Sequence, residues 1–237
     1  MKRTGSCLRS WGLLLTGLVV TVMAKDFWQK KPFTQWNESE VLMLLSNSPW
    51  AKTQTVSGDY GSAFVPRFIG SQPGGGVGAP DLRTTQGRGG ENSTPLYIRW
   101  QSSTRVRQAI ARLNLLRKVA SEELALRFVG QPMPDLVISI SGPVMEPFEK
   151  RSFQDLKPVT FLLSRTDKDK RVELKDYLSP GQTQDGSALY VFPRLLNDAP
   201  RIDLADDEVV FNSEIGKVKI RAVFKLARMM VDGKLDL

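Results

Sequence analysis

The sequence predicts an α+β fold: a mixed sheet with two or three helices, antiparallel strands toward its C-terminal end, and a long glycine-rich loop near its front. Three observations predict it. Apolar residues recur at helical spacing over residues 104–117 and 121–128, period-two alternation dominates beyond residue 159, and ten glycines crowd residues 58–94. The expected divisions are a signal peptide at 1–24, an aromatic helical segment at 25–57, a flexible glycine-rich loop or linker at 58–94 and an α+β domain at 95–237.

Residues 1–24 carry basic Lys2, Arg3 and Arg9, then an apolar run from Trp11 to Val22, then small Val22 and Ala24 flanking Met23. That order is a secretory signal peptide, and the apolar run falls short of the roughly 20 residues of a comfortable membrane span. Cleavage is expected before Lys25, leaving an extracytoplasmic protein without a membrane span. Cys7 precedes the apolar run, so it leaves with the signal and cannot be the acylated first residue of a lipoprotein. Cleavage removes three cations and no anions, lowering the net charge from +8 to +5. A body of about 200 residues can bury a proper core, and packing alone must hold it, because no disulfide framework remains.

The aromatic segment holds Phe27, Trp28, Phe33, Trp36 and Trp50. Asn37 followed by Glu40 reads as a capping box, opening a short helix with Val41, Leu42, Leu44 and Leu45 on its apolar side. Ser46-Asn47-Ser48-Pro49 ends it, since the residue before proline is pushed out of the α region. A short strand from Lys52 to Ser57 follows. The glycines after it suggest a phosphate cradle only weakly, because no Gly-Lys-Ser/Thr follows and no helix start lies close behind. Asn92-Ser93-Thr94 matches a glycosylation acceptor, with Pro95 after it weakening the match.

From Leu96 the texture is globular. Leu96–Trp100 reads as a strand. Ser103 or Thr104 caps a helix whose Val106, Ala109, Ile110, Leu113 and Leu116 share one face, while Arg105, Arg107, Arg112 and Arg117 make the polar side. A second helix from Ser121 to Phe128 ends at Gly130-Gln131-Pro132, and Leu136–Ile140 is a compact apolar strand. Strand, helix, helix, strand suggests a parallel βαβ-like crossover. Beyond it, strands at Val159–Arg165 and Val172–Leu174 flank a charged hairpin tip, and Leu189–Phe192 and Val209–Phe211 follow. The last strand, Lys217–Leu226, alternates Val218, Ile220, Ala222, Phe224 and Leu226 with Lys217, Lys219, Arg221 and Lys225, so one face is buried and the other wet.

The chain has no histidine, and Cys7 is its one cysteine. A Ser-His-Asp triad, an imidazole base, a thiolate nucleophile in the mature chain and the usual zinc sites are therefore excluded. Serine–lysine chemistry lacks a Ser-x-x-Lys word in the mature chain. Carboxylate chemistry remains, because a glycosidase needs only two acids flanking a sugar bond. The candidates are Asp203, Asp206, Asp207 and Glu208, with Asp167 and Asp169 as a second cluster. Both clusters are expected as solvated turn carboxylates, and neither has the spacing of a calcium loop, so no metal or cofactor is expected.

Two further surfaces are candidates. Trp28, Trp36 and Trp50 suit either a stacking platform for sugar rings or, with greater weight, docking of the N-terminal helix on the core. Lys217, Lys219, Arg221 and Lys225, joined by the arginines of the 104–117 helix, are the best polyanion candidates, though a basic strand face without interleaved aromatics disfavours nucleic acid.

The words FWQKKPFTQW, NESEV and SPWAK, with the ending VKIRAVFKLARMMVDGKLDL, resemble a group of uncharacterised secreted proteins of the acidobacterial type. Some of those resemble proteins labelled by a Gly-Trp-x-Thr-Asp domain, a word absent from this chain. The resemblance implies export and brings no established activity or site residues. The expectation is thus a secreted or periplasmic, non-catalytic binding or structural module of the cell envelope, meeting envelope glycan or a protein partner. A carboxylate-dependent glycan hydrolase or lyase and a polyanion-binding protein are the competing classes.

Overall fold

A computed structural model describes residues 27–57 and 93–237. The expected signal peptide, Asn92 and the glycine-rich stretch lie outside these residues, save Ser93 and Thr94, which open a strand. The class is α+β.

The N-terminal segment forms α1 (Phe27–Lys30), a 3-10 turn at Phe33–Gln35 and α2 (Glu38–Ser46). The capping box is present: the Asn37 side chain accepts the Glu40 N–H at 2.9 Å, and the Glu40 carboxylate accepts the Asn37 N–H at 2.8 Å. Strands β1 (Ala51–Ser57) and β2 (Ser93–Trp100) lead to α3 (Thr104–Leu116), α4 (Glu122–Gly130) and β3 (Leu136–Ser141). Short helices α5 (Glu146–Glu149) and α6 (Phe153–Leu156) precede β4 (Phe161–Ser164), β5 (Arg171–Glu173), β6 (Asp176–Leu178) and β7 (Ala188–Phe192). A hairpin of β8 (Leu195–Leu196) and β9 (Ala199–Pro200) follows, then β10 (Glu208–Ile215), β11 (Val218–Lys225) and a second hairpin of β12 (Met230–Val231) and β13 (Lys234–Leu235).

Two sheets face each other, in the orders β1-β2-β3-β7-β6 and β11-β10-β4-β5. Aromatic rings join them across the core: Trp100 meets Phe224 at 5.1 Å between centroids, and Tyr190 meets Phe211 at 5.3 Å, both edge to face. The chain crosses between these sheets three times, from β3 to β4, from β5 to β6 and from β7 to β10, the shortest crossing being Leu174 and Lys175 between β5 and β6. At the opposite margin the Gln54 amide spans the seam, donating to the Lys219 carbonyl at 2.7 Å and accepting the Arg221 N–H at 2.9 Å. One side chain on β1 thus does for β11 what a ladder of backbone bonds does elsewhere.

Every strand pairing among the described residues is antiparallel, which corrects the expected parallel crossover and with it the mixed sheet. Trp100 on β2 pairs with Ile138 on β3 in antiparallel register. The reason is the helix count. Arg107 at the start of α3 donates to the carbonyls of Val129 and Gln131 at the end of α4, at 2.8 and 2.5 Å, so the two helices run antiparallel. One helix carries the chain to the far end of a sheet; a second brings it back, and the next strand must run opposite to the first. Arg107 is accordingly buried, at 8% exposure, and is no part of a polar face.

The C-terminal residues clasp the molecule. The Asp236 carboxylate accepts from Ser103 Oγ at 2.8 Å, Thr104 N–H at 2.7 Å and Arg105 N–H at 3.0 Å, at the N-terminus of α3, where N–H groups lack partners within the helix. Its carbonyl accepts Trp50 Nε1–H at 2.9 Å, and the Leu237 carbonyl accepts from Arg194 at 2.8 Å. Residues distant in sequence therefore seat the N-terminal segment, α3 and the end of β7 together.

Candidate functional site

The acidic word Asp203–Glu208 folds around a 3-10 turn at Leu204–Asp206. Asp203 caps it, accepting the Ala205 N–H at 2.8 Å, and the Asp206 carboxylate returns to the Asp203 N–H at 2.9 Å. Lys170, from the loop between β4 and β5, reaches both acids, at 2.7 Å to Asp206 and 3.2 Å to Asp203. Asp206 is only 2% exposed, which corrects the expectation of four solvated carboxylates: an ion pair with Lys170 makes its burial tolerable. Asp207 supplies the left-handed residue, at φ +54°, that ends the turn. Glu208 enters β10 and pairs with Arg165 at 2.8 Å and Lys225 at 3.0 Å.

The charges at this cluster are those of a structural network. The Ala205 N–H, then Lys170, hold the Asp203 pKa below the usual carboxylate value. Lys225 and Arg165 do the same for Glu208. Burial opposes the Lys170 charge, but its bonds to Asp206 and Asp203 outweigh that and raise its pKa above the usual lysine value. A glycosidase acid must stay protonated near neutral pH, which takes a raised carboxyl pKa. Asp203 and Glu208 are moved the other way. Asp167 accepts the Asp169 N–H at 3.0 Å within its own loop.

The tryptophans lie inside. Trp36 and Trp50 are fully buried and Trp28 is 4% exposed. They interlock edge to face, Phe27 with Trp36 at 5.4 Å and Trp28 with Trp50 at 5.7 Å, so no ring offers a free face for stacking on a sugar. Lys217, Lys219, Arg221 and Lys225 are exposed as the alternation predicts. Acids interleave them, however: Lys225 is paired with Glu208, and Lys219 stands opposite Glu214 on β10. The arginines of α3 do not join this face. Arg107 holds the end of α4, Arg112 Nε donates to the Trp36 carbonyl at 2.7 Å, and Arg117 pairs with Glu38 at 2.9 Å.

What sequence reading passed over is an apolar trough of about 550 Å³ at one end of the sandwich. Leu136, Ile202 and Leu237 line it with Leu195, Pro200 and Leu204, and Arg194 and Asp203 are its charged members. Leu195 and Leu204 are each 50% exposed and neighbouring Leu196 is 53% exposed, values at odds with the buried leucines of the core. Burial lowers the Arg194 pKa, with Asp236 and Asp135 nearby opposing the shift. Its guanidinium donates to the Leu237 carbonyl at 2.8 Å and marks the trough's rim. Asp203 is the one acidic side chain in the lining, so the trough offers no pair of facing acid side chains about 5 to 9 Å apart. The signal that could have found it is Arg194-Leu195-Leu196-Asn197-Asp198-Ala199-Pro200-Arg201, an apolar pair before an Asn-Asp turn. Asn197 and Asp198 both take positive φ, +50° and +61°, as a two-residue hairpin loop requires.

No family model, no curated protein and no solved structure matches this chain. No helix of the described residues is long and apolar enough to cross a membrane, and no group of acids among them is arranged to hold a metal ion.

Proposed function

We propose that this protein is an extracytoplasmic, non-catalytic binding or structural module of the cell envelope, and that its contact surface is the apolar end that carries the trough. The leader-like residues 1–24 support the location. The observation that carries the contact surface is the pair of half-exposed leucines, Leu195 and Leu204, in the lining of a concave apolar surface, with exposed Leu196 next to them on β8, since contiguous exposed apolar patches mark interaction sites. The non-catalytic part rests on the acids: Asp206 and Glu208, which a glycan hydrolase would free for chemistry, are committed to Lys170, Lys225 and Arg165.

Incubation of the purified protein with purified envelope glycan tests that part. No new reducing ends are expected. Release of reducing ends that disappears in Asp206→Asn would overturn the proposal in favour of the hydrolase.

A further inference from the structure

The geometry points to a second copy of this chain as an occupant of the trough, received through the β8–β9 hairpin in a reciprocal, two-fold contact. This rests on the reading of the apolar end as the contact surface and names what fills it. Every residue of the hairpin from Leu195 to Pro200 is exposed. An isolated two-stranded ribbon is marginal in water, and one carrying Leu195, Leu196, Ala199 and Pro200 gains by covering them. The trough begins at the base of the same hairpin, with Leu195 and Pro200 in its lining. A protruding apolar arm beside an apolar hollow is self-complementary: turning one copy by a half-rotation lays each arm across the other's hollow, the isologous arrangement of most homodimers.

Charge agrees with shape. Asp198 at the arm's tip is exposed and enters no ion pair among the described residues. Arg194 and Arg201 flank the base of the arm; Arg194 is held by the Leu237 oxygen at 2.8 Å with Asp236 and Asp135 nearby, whereas the Arg201 guanidinium donates to the Arg171 carbonyl at 2.6 Å and meets no carboxylate in an ion pair among the described residues. The tip of one copy therefore brings an unpaired anion to Arg201 of the other. An unrelated partner would have to supply both the apolar knob and the acid that this chain already carries.

Sedimentation equilibrium of the full chain, in a Cys7→Ser background, tests this. A dimer is expected, with its dissociation constant raised at least tenfold by Leu196→Asp at an exposed strand position and by Asp198→Lys, and raised also by Asp198→Asn, which removes the charge while keeping a residue suited to the turn's positive φ. Mixing Leu196→Cys chains with Leu204→Cys chains should give a mixed disulfide under mild oxidation, and Leu196→Cys with Lys219→Cys should not. A chain that stays monomeric at about 100 μM, or a dimer indifferent to both charge-bearing variants, overturns the inference. A monomer that still loses envelope retention in Leu204→Glu overturns it as well, while leaving the contact surface in place.

Discussion

Asp236 holds the start of α3 through its carboxylate and Trp50 through its backbone carbonyl, and replacing the side chain removes the first of these. Asp236→Ala strips an acceptor from Ser103, Thr104 and Arg105 at the positive end of α3, and a loss of about 2 kcal/mol is expected in denaturant unfolding. Trp36→Ala should cost more, about 3 to 5 kcal/mol, because a fully buried indole packed on Phe27 and Phe33 leaves a cavity. The acids fix a pH response with a definite sign. Asp203 and Glu208 have lowered folded pKa values, so their contribution is complete above the ordinary carboxylate value and is lost as pH falls through the folded one. Lys170 is raised, so its contribution is complete below the ordinary lysine value and is lost as pH rises through the folded one. Stability should be level between roughly pH 6 and 9 and fall on both sides. Lys170→Met should flatten the acid limb; an unchanged limb would remove the ion cluster from the account. That Asp206 is buried was not legible in its sequence, because its partner sits 36 residues away in another loop.

At the scale of elements, what sequence reading found and missed divides by the range of the interactions involved. The capping box of α2, the apolar stripe of α3 and the alternation of β11 are written in neighbouring residues, and each element lies within a few residues of its expected place. Strands β6, β8, β9, β12 and β13 have two or three residues each, too few for a period to show, and are held by what pairs with them. The two helices between β2 and β3 are legible by period, but the antiparallel packing that turns the chain back is fixed by Arg107 meeting carbonyls 22 and 24 residues away, which no local pattern reports. Two substitutions test the packing of elements. Gln54→Ala should speed amide exchange at Arg221 and cost about 1 kcal/mol, since one side chain carries both bonds across the seam. In Gly142→Ala, the added Cβ would stand 2.7 Å from the Pro95 carbonyl oxygen, and a loss of about 1 to 3 kcal/mol is expected as β2 shifts.

For the whole molecule, two sheets and a clasp build an end on which leucines stand half in water. The same short apolar words that elsewhere become core, Leu-Leu at 195–196 and Leu204, remain outside here, and no local pattern separates the two fates; the trough is assembled from four stretches of chain. The tryptophans show the converse, aromatic residues that suit a binding platform by composition and are consumed by packing. The central claim is that retention in the envelope depends on the apolar end, where the chain meets a partner surface, and not on the basic strand face. Co-sedimentation of purified variants with an envelope fraction tests it most directly. The account predicts that Leu204→Glu releases the protein to the supernatant while Lys219→Glu with Arg221→Glu leaves it bound; retention of Leu204→Glu alongside release of the charge-reversed variant would contradict it.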